Sequence, residues 1–365
     1  MKKRARTSAA LSDQFAAVSR PAGTAFHIPR KSAGISRRFC MKKMVMVAAA
    51  AVLALAASNA GAQSVKVLRL GSHLASSHSV VKTADKFAEL VTAKSGGKIE
   101  IKVFPNSTIG DQRALVEGMQ FGTVDMSIND AGYLSNFAPR WGICDLPYLW
   151  QDYGHVRKVE DGEIGKLLQA DLLAKGIRSL GWMDSAFRNV FINKEAKSVK
   201  DLKGMKLRAP ESPVYVKTFQ AMGMNPTVIP WGEVYTSVQT KVVEGFEQPA
   251  EGAFTSKMYE VTKYMIMTKH MYTVLSINIS EAIWKSLTAE QRTIISAAAA
   301  EASAYGRKLA EQLDGEAITG LVKNGMKQVE VNKAEFQTAV SPVWKEYGDK
   351  YKANDLIQKI VDAGV

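Results

Sequence analysis

Two arginines are the side chains best placed by the sequence to do chemistry. Arg208 closes the short apolar segment Lys206-Leu207-Arg208, directly before Ala209-Pro210. Arg188 follows a second apolar segment at 177–182. In open α/β sheets, ligands bind outside the carboxyl ends of the strands. An arginine at such an end offers a planar fork of N–H donors that meets a carboxylate through two parallel hydrogen bonds. An arginine taken alone is more often a solvated surface residue. At the end of an apolar strand, just before Ala-Pro, it points toward a bound acid.

The remaining reactive residues give catalysis little support. The sequence has no Gly-x-Ser-x-Gly elbow, no Walker loop and no zinc-ligand spacing. Cys144, in Gly142-Ile143-Cys144-Asp145, reads as inert packing. His73 and His78 lie near a strand end but lack a third ligand at any metal spacing, so neither a metal nor another cofactor is called for. His155 and His270 are isolated. Gly96-Gly97 reads as a helix stop rather than a phosphate loop. Only Glu211 and Glu247 could serve as acid–base partners beside Arg208.

The elements that hold the arginines follow from periodicity. The segment 67–71 is a buried strand, and Val80, Val81, Ala84, Phe87, Ala88 and Val91 follow at helical spacing. Ile99, Ile101 and Val103 alternate with charged residues, and Pro105 ends that strand. A helix over 111–121 stops at Gly122, before a strand marked by Val124, Met126 and Ile128. This βαβαβ order predicts a parallel-rich sheet with helices on both faces. Helical stretches at 155–175 precede the strand at 177–182. Ser198-Val199-Lys200-Asp201 has capping-box spacing and opens a short helix that Gly204 closes. Helices at 213–222 and 232–244 come next, the second with Val234, Val238 and Val242 on one face. From Thr288, with Gln291 as its capping partner, to Lys323 there is no proline. Ile294, Ile295, Ala298, Ala302, Tyr305, Leu309 and Leu313 keep helical spacing there, so one long helix is expected, with a break near Gly315 as the alternative.

The amino-terminal residues predict export. Residues 41–62 carry two lysines, an apolar run and Ala60-Gly61-Ala62, which is the layout of a secretory signal peptide cut after Ala62. The apolar run is shorter than the roughly 20 residues a membrane span needs. Upstream, residues 1–40 read either as an artefact of a start that belongs at Met41, or as part of a twin-arginine signal around Arg37-Arg38. The chain carries +13 overall, but residues 1–62 hold 11 of the 48 Lys+Arg and 1 of the 35 Asp+Glu. The remainder has 37 basic and 34 acidic residues, so nucleic acid is not an expected partner. With Cys40 in the leader, Cys144 is left alone and no internal disulfide is expected. A periplasmic monomer is predicted.

An ordered series of short motifs then resembles one family. It comprises Ser95-Gly96-Gly97-Lys98-Ile99, Val103-Phe104-Pro105, Ile109-Gly110-Asp111, Gly122-Thr123-Val124-Asp125-Met126 and Asp145-Leu146-Pro147-Tyr148-Leu149. Asp201-Leu202-Lys203-Gly204-Met205-Lys206-Leu207-Arg208-Ala209-Pro210, Pro230-Trp231-Gly232-Glu233-Val234-Tyr235, Val243-Glu244-Gly245-Phe246-Glu247-Gln248-Pro249 and Thr268-Lys269-His270 complete it. Over roughly 66–350 the chain resembles the solute-binding subunit of a tripartite ATP-independent periplasmic (TRAP) transporter, C4-dicarboxylate-binding type. The resemblance implies a two-domain α/β periplasmic binding protein of type II-like form, with central mixed sheets flanked by helices and a long domain-spanning helix. Domain I would take 63–185 and 274–313, and domain II 186–273 and 314–365. It implies that Arg208 pairs with a ligand carboxylate, that Arg188 lies near it and that Trp231 packs on the ligand. Gln248 stands where the family commonly has Asn, and Asp130, Glu211 and His73 match pocket positions that vary with ligand. Their polarity favours a sugar acid or hydroxy acid over a bare alkyl acid, with a C4-dicarboxylate as the alternative. TRAP permease subunits are the implied membrane partners. A binding protein for an ATP-driven importer or sensor kinase, and an exported α/β enzyme acting on carboxylates, are the competing readings.

Overall fold

Alternating apolar residues and glycine or proline punctuation put the first three strands where the sequence reads them: β1 Lys66–Gly71, β2 Ile99–Phe104 and β3 Met126–Asp130. The computed structural model describes residues 64–364, so the signal peptide and leader expected over 1–62 lie outside the described residues. The helix Ser79–Lys94 buries Val80, Val81, Ala84, Phe87 and Val91 and ends ahead of Gly96 and Gly97. Both glycines sit at positive φ, a conformation that costs them little. The helix Gln112–Phe121 is capped by the Asp111 carboxylate, which accepts from the Ala114 N–H, and stops at left-handed Gly122. β1 pairs in parallel with β2 and β3.

The other strands are β4 Ile177–Ile192, β5 Lys206–Ala209, β6 Asn225–Val228, β7 Gly245–Gln248, β8 Tyr264–Ser280 and β9 Lys327–Val329. Their order in one sheet is β2-β1-β3-β8-β4-β7-β5-β6, with β9 added to β8. The pairs at both flanks are parallel, whereas β3–β8, β8–β4 and β4–β7 are antiparallel. The parallel-rich expectation therefore holds only at the flanks. At the centre, β4 and β8 form a long ribbon running from Ile177 opposite Ser280 to Ile192 opposite Tyr264. One half of the ribbon carries β3, and through it β1 and β2; the other carries β7, β5, β6 and β9. Its register shifts between Asp184 and Phe187 and again between Arg188 and Val190.

Three sequence expectations are corrected here. The strand read at 177–182 continues to Ile192, so Arg188 lies inside a strand rather than past its end. Buried Asp184, Arg188 and Asn189 interrupt its alternation and hide its length. The helix expected over 232–244 spans Trp231–Gln239, and Val242 is left exposed beyond it. The long helix runs unbroken from Ala289 to Lys323 with the Thr288–Gln291 capping box formed, but its buried stripe keeps only Ile295, Ala298 and Ala302 of the one read from sequence. It buries Ile295, Ala298, Ala299, Ala302, Ser303, Gly306, Ala310, Ala317 and Leu321, while Tyr305 is 43% exposed. Small residues let the helix lie close to its neighbour: a Cβ on Gly306 would come within 2.6 Å of Thr83 Oγ1. At 1.5 Å per residue it is about 50 Å long.

The short helix Val199–Leu202 forms with the Ser198–Asp201 capping box. Free Cys144 is buried, and burial pushes its thiol pKa up, as packing requires. Among the described residues no helix is long and apolar enough to cross a membrane.

Candidate ligand-binding site

The carboxyl ends of parallel strands bring most of the candidate residues to one region. His73 lies two residues beyond β1, Asp130 ends β3, Arg208 is the penultimate residue of β5 and Gln248 ends β7. Trp231 opens the helix after β6. His73 and Trp231 both line a cleft of about 290 Å³, along with Asn106, Tyr235 and Met258.

The two arginines are both buried, at 1% and 2% exposure, but they are treated differently. Arg188 is fully engaged. Its Nε and Nη2 donate to the two carboxylate oxygens of Glu247, the second at 2.8 Å. Nη1 donates to the Thr273 hydroxyl at 2.8 Å, and the guanidinium stands 5.0 Å from the Tyr215 ring centre. Burial opposes charge on both partners, yet their mutual attraction wins. Arg188 holds its proton more tightly than an ordinary arginine, and the Glu247 carboxyl is held down to about 2.

Arg208 is only partly engaged. Its Nε donates to the Ile229 carbonyl at 2.8 Å, and its guanidinium lies 5.5 Å from the Trp231 ring centre. The nearest carboxylate oxygen recorded for it, Glu247 Oε1, is 4.0 Å from Nη1, beyond hydrogen-bond range. Its two terminal nitrogens make no hydrogen bond among the described residues. Burial accordingly pulls its pKa below the usual arginine value. A buried cation in this state needs an anion to complete it.

Beside these cations stands a polar pair. The Asp130 backbone N–H donates to the Gln112 side chain at 2.9 Å, which fixes the strand end. Asp130 Oδ1 is buried without a hydrogen-bond partner among the described residues, and so is His73 Nδ1. His73 Nε2 is 3.8 Å from Asp130 Oδ1 and 3.3 Å from the Gln112 amide nitrogen. Burial lowers the His73 pKa to about 4; Asp130 opposes this, while His78, Arg208 and Arg188 add to it. A neutral imidazole and an open carboxylate oxygen can both bond to hydroxyl groups.

The other candidates have separate roles. Glu211 is engaged by Arg113, with Arg113 Nε donating to Oε2 at 2.9 Å and Nη2 to Oε1. Gln248 is buried and its backbone pairs with Asn189; its amide makes no side-chain hydrogen bond among the described residues. His270, isolated in sequence, is not isolated in space. Its Nδ1 bonds the Thr268 hydroxyl at 2.8 Å, and its Nε2 is 3.6 Å from Glu247 Oε2. Sequence reasoning missed the partners of Arg188, namely Glu247, Thr273 and Tyr215. The available signal was Glu247 itself, an acid inside the short strand Gly245–Gln248.

The divided α/β sheet, with a cleft whose Trp231 packs on the buried Arg208, defines a solute-binding protein. Residues 70–350 match bacterial extracellular solute-binding protein, family 7, and the chain belongs to that family. It is 30% identical to the 2,3-diketo-L-gulonate-binding periplasmic protein YiaO of Escherichia coli K12, over 82% of this chain and 92% of that one. It is 32% identical to the C4-dicarboxylate-binding periplasmic protein DctP of Rhodobacter capsulatus, over 75% and 84%. Among solved structures, a TRAP periplasmic solute-binding protein of Roseobacter denitrificans with bound L-galactonate superposes with a TM-score of 0.78. That protein is 30% identical, with 81% of this chain and 99% of the other covered. The resemblance read from the motifs and the α/β binding-protein fold are both borne out.

Proposed function

We propose that this protein captures a sugar acid in the periplasm, pairs its carboxylate with Arg208 and delivers it to the membrane subunits of a TRAP transporter. The observation that carries the reading is the buried Arg208 guanidinium, whose two terminal nitrogens make no hydrogen bond among the described residues. Asp130 Oδ1 and His73 Nδ1 supply the second half of the recognition: buried polar atoms without partners are costly unless a ligand satisfies them. Hydroxyl groups along a sugar acid chain meet that need.

A C4-dicarboxylate fits less well. Its second carboxylate would need a second open cation, and Arg188 is already neutralised by Glu247. Asp130 would repel that carboxylate. L-galactonate and 2,3-diketo-L-gulonate, named for two of the relatives, support the sugar-acid class, whereas DctP of Rhodobacter capsulatus is named for C4-dicarboxylates.

Capture works by closure of two lobes, residues 63–185 with 274–313 and residues 186–273 with 314–365, about the irregular middle of the β4–β8 ribbon. Closure strips water from Arg208 and the carboxylate together, so the ion pair must be well formed to offset desolvation. The carrier role follows the family, whose model is a solute-binding protein and whose relatives are named for binding.

A thermal-shift screen against aldonates, hexuronates, keto acids and C4-dicarboxylates tests the reading. Ligand at about 100 times its dissociation constant adds roughly 2.7 kcal/mol of stability. A strong shift with sugar acids, lost in Arg208→Ala and reduced in Arg208→Lys, is the expected outcome. A shift with C4-dicarboxylates alone would replace the ligand class, and conversion of a bound acid to product would replace the carrier role.

A further inference from the structure

We propose that Glu251 is a latch that holds the closed form, fixing how long the ligand stays bound without touching it. The inference rests on the carrier reading above and concerns contacts between the two lobes. Glu251, on the helix Ala250–Thr255, reaches across to the amino end of the helix Ser79–Lys94. Its Oε1 accepts from the Ser79 backbone N–H at 2.5 Å, and its Oε2 accepts from the Ser79 hydroxyl at 2.5 Å. The first N–H groups of a helix have no partner within it and carry partial positive charge, so a carboxylate there is favoured. Ser79 and Glu251 are both buried, at 1% and 3% exposure. A buried carboxylate held by charge-assisted bonds is lost as a unit when its partner moves away.

Two observations mark this as a clasp rather than a reactive site. His78 Nδ1, 3.6 Å from Glu251 Oε2, spends its lone pair on the Val80 N–H as the helix cap. Glu251 also lines a separate hollow, with Ser77 and Lys82, rather than the cleft between His73 and Trp231. The latch is anchored from behind as well: the Glu251 N–H donates to Asp314 Oδ1 at 3.2 Å, which ties it to the long helix.

A second contact crosses between the same lobes. Arg113 holds Glu211, and the Asn136 amide donates to the Glu211 carbonyl at 2.8 Å. This clasp is 45% and 33% exposed at its two side chains, so water competes for it and its share is smaller. Glu211 is thereby a clasp residue, apart from the cleft that His73 and Trp231 line.

If the latch exists only in the closed form, losing it lowers the closed population and weakens apparent affinity in proportion, chiefly through faster release. Stopped-flow and calorimetric binding of galactonate should show Glu251→Gln weakening affinity about tenfold, mostly in the dissociation rate. Ser79→Ala should weaken it severalfold, and the double variant no more than Glu251→Gln. The melting temperature of the ligand-free protein should fall only slightly, by the share of closed form that the latch maintains without ligand. A lowered ligand-free melting temperature with wild-type affinity would instead make Glu251 a fold residue and overturn the latch. Spin labels at K102C and K241C add a reading that needs no ligand. Glu251→Gln should shift the ligand-free distance distribution toward longer separations, and an unchanged distribution overturns the latch. If the wild type binds no organic acid, the carrier reading fails on its own while this label measurement still decides the latch.

Discussion

Arg188 and Arg208 lie in one buried neighbourhood and answer the same electrostatic problem in opposite ways. Arg188 is bonded by Glu247 on β7 and Thr273 on β8 and is satisfied within the chain. Arg208 has one carbonyl, the face of Trp231 and two unused terminal nitrogens. Burying a guanidinium is costly unless it is paired. The difference therefore separates an arginine that builds the site from one that waits for its ligand. It also explains why Glu247 does not repel a bound acid: Arg188 already neutralises it.

The contrast breaks most sharply by exchanging which arginine loses its partner. Glu247→Gln leaves Arg188 buried without a counter-charge and should cost about 3–5 kcal/mol of ligand-free stability, read by urea denaturation. Arg208→Ala should leave that stability unchanged or raised, while sugar-acid binding falls by a comparable free energy in calorimetry. Equal effects of the two variants on ligand-free stability would erase the distinction.

Acid titration sharpens the comparison next. The folded-state pKa of His73 is about 4, below its ordinary 6.5. Its contribution to stability is thus full above pH 6.5 and is lost as pH falls toward 4. By linkage the loss is about 3 kcal/mol. Melting curves of His73→Asn against wild type between pH 7 and 4 should show a shallower acid decline in the variant. The smallest effect belongs to the Trp231 face: Trp231→Ala should weaken binding by about 1 kcal/mol if the ring only supports Arg208.

What the sequence made legible follows physical lines. β1 to β3 and their helices are local objects, marked by alternation, caps and glycine stops, and they fall where those marks put them. The capping box at Thr288 and the lack of proline expose the long helix. Its buried face is hidden because alanine and glycine, not Leu309 or Tyr305, make the close contact. β4 and β8 are harder to read, because Asp184, Arg188 and His270 interrupt apolar patterns with polar groups whose partners, such as Arg157 for Asp184 and Glu247 for Arg188, no alternation rule announces. Arg208 is legible because Pro210 ends its strand. The fate of Arg188 is not, since Glu247 lies 59 residues away and no spacing rule joins them.

A crystal structure with a sugar acid bound tests the central claim most directly. The account predicts one carboxylate oxygen at each terminal nitrogen of Arg208, about 2.9 Å away, with the Arg188–Glu247 pair unchanged. A ligand carboxylate that displaces Glu247 from Arg188, with Arg208 left open, would contradict it.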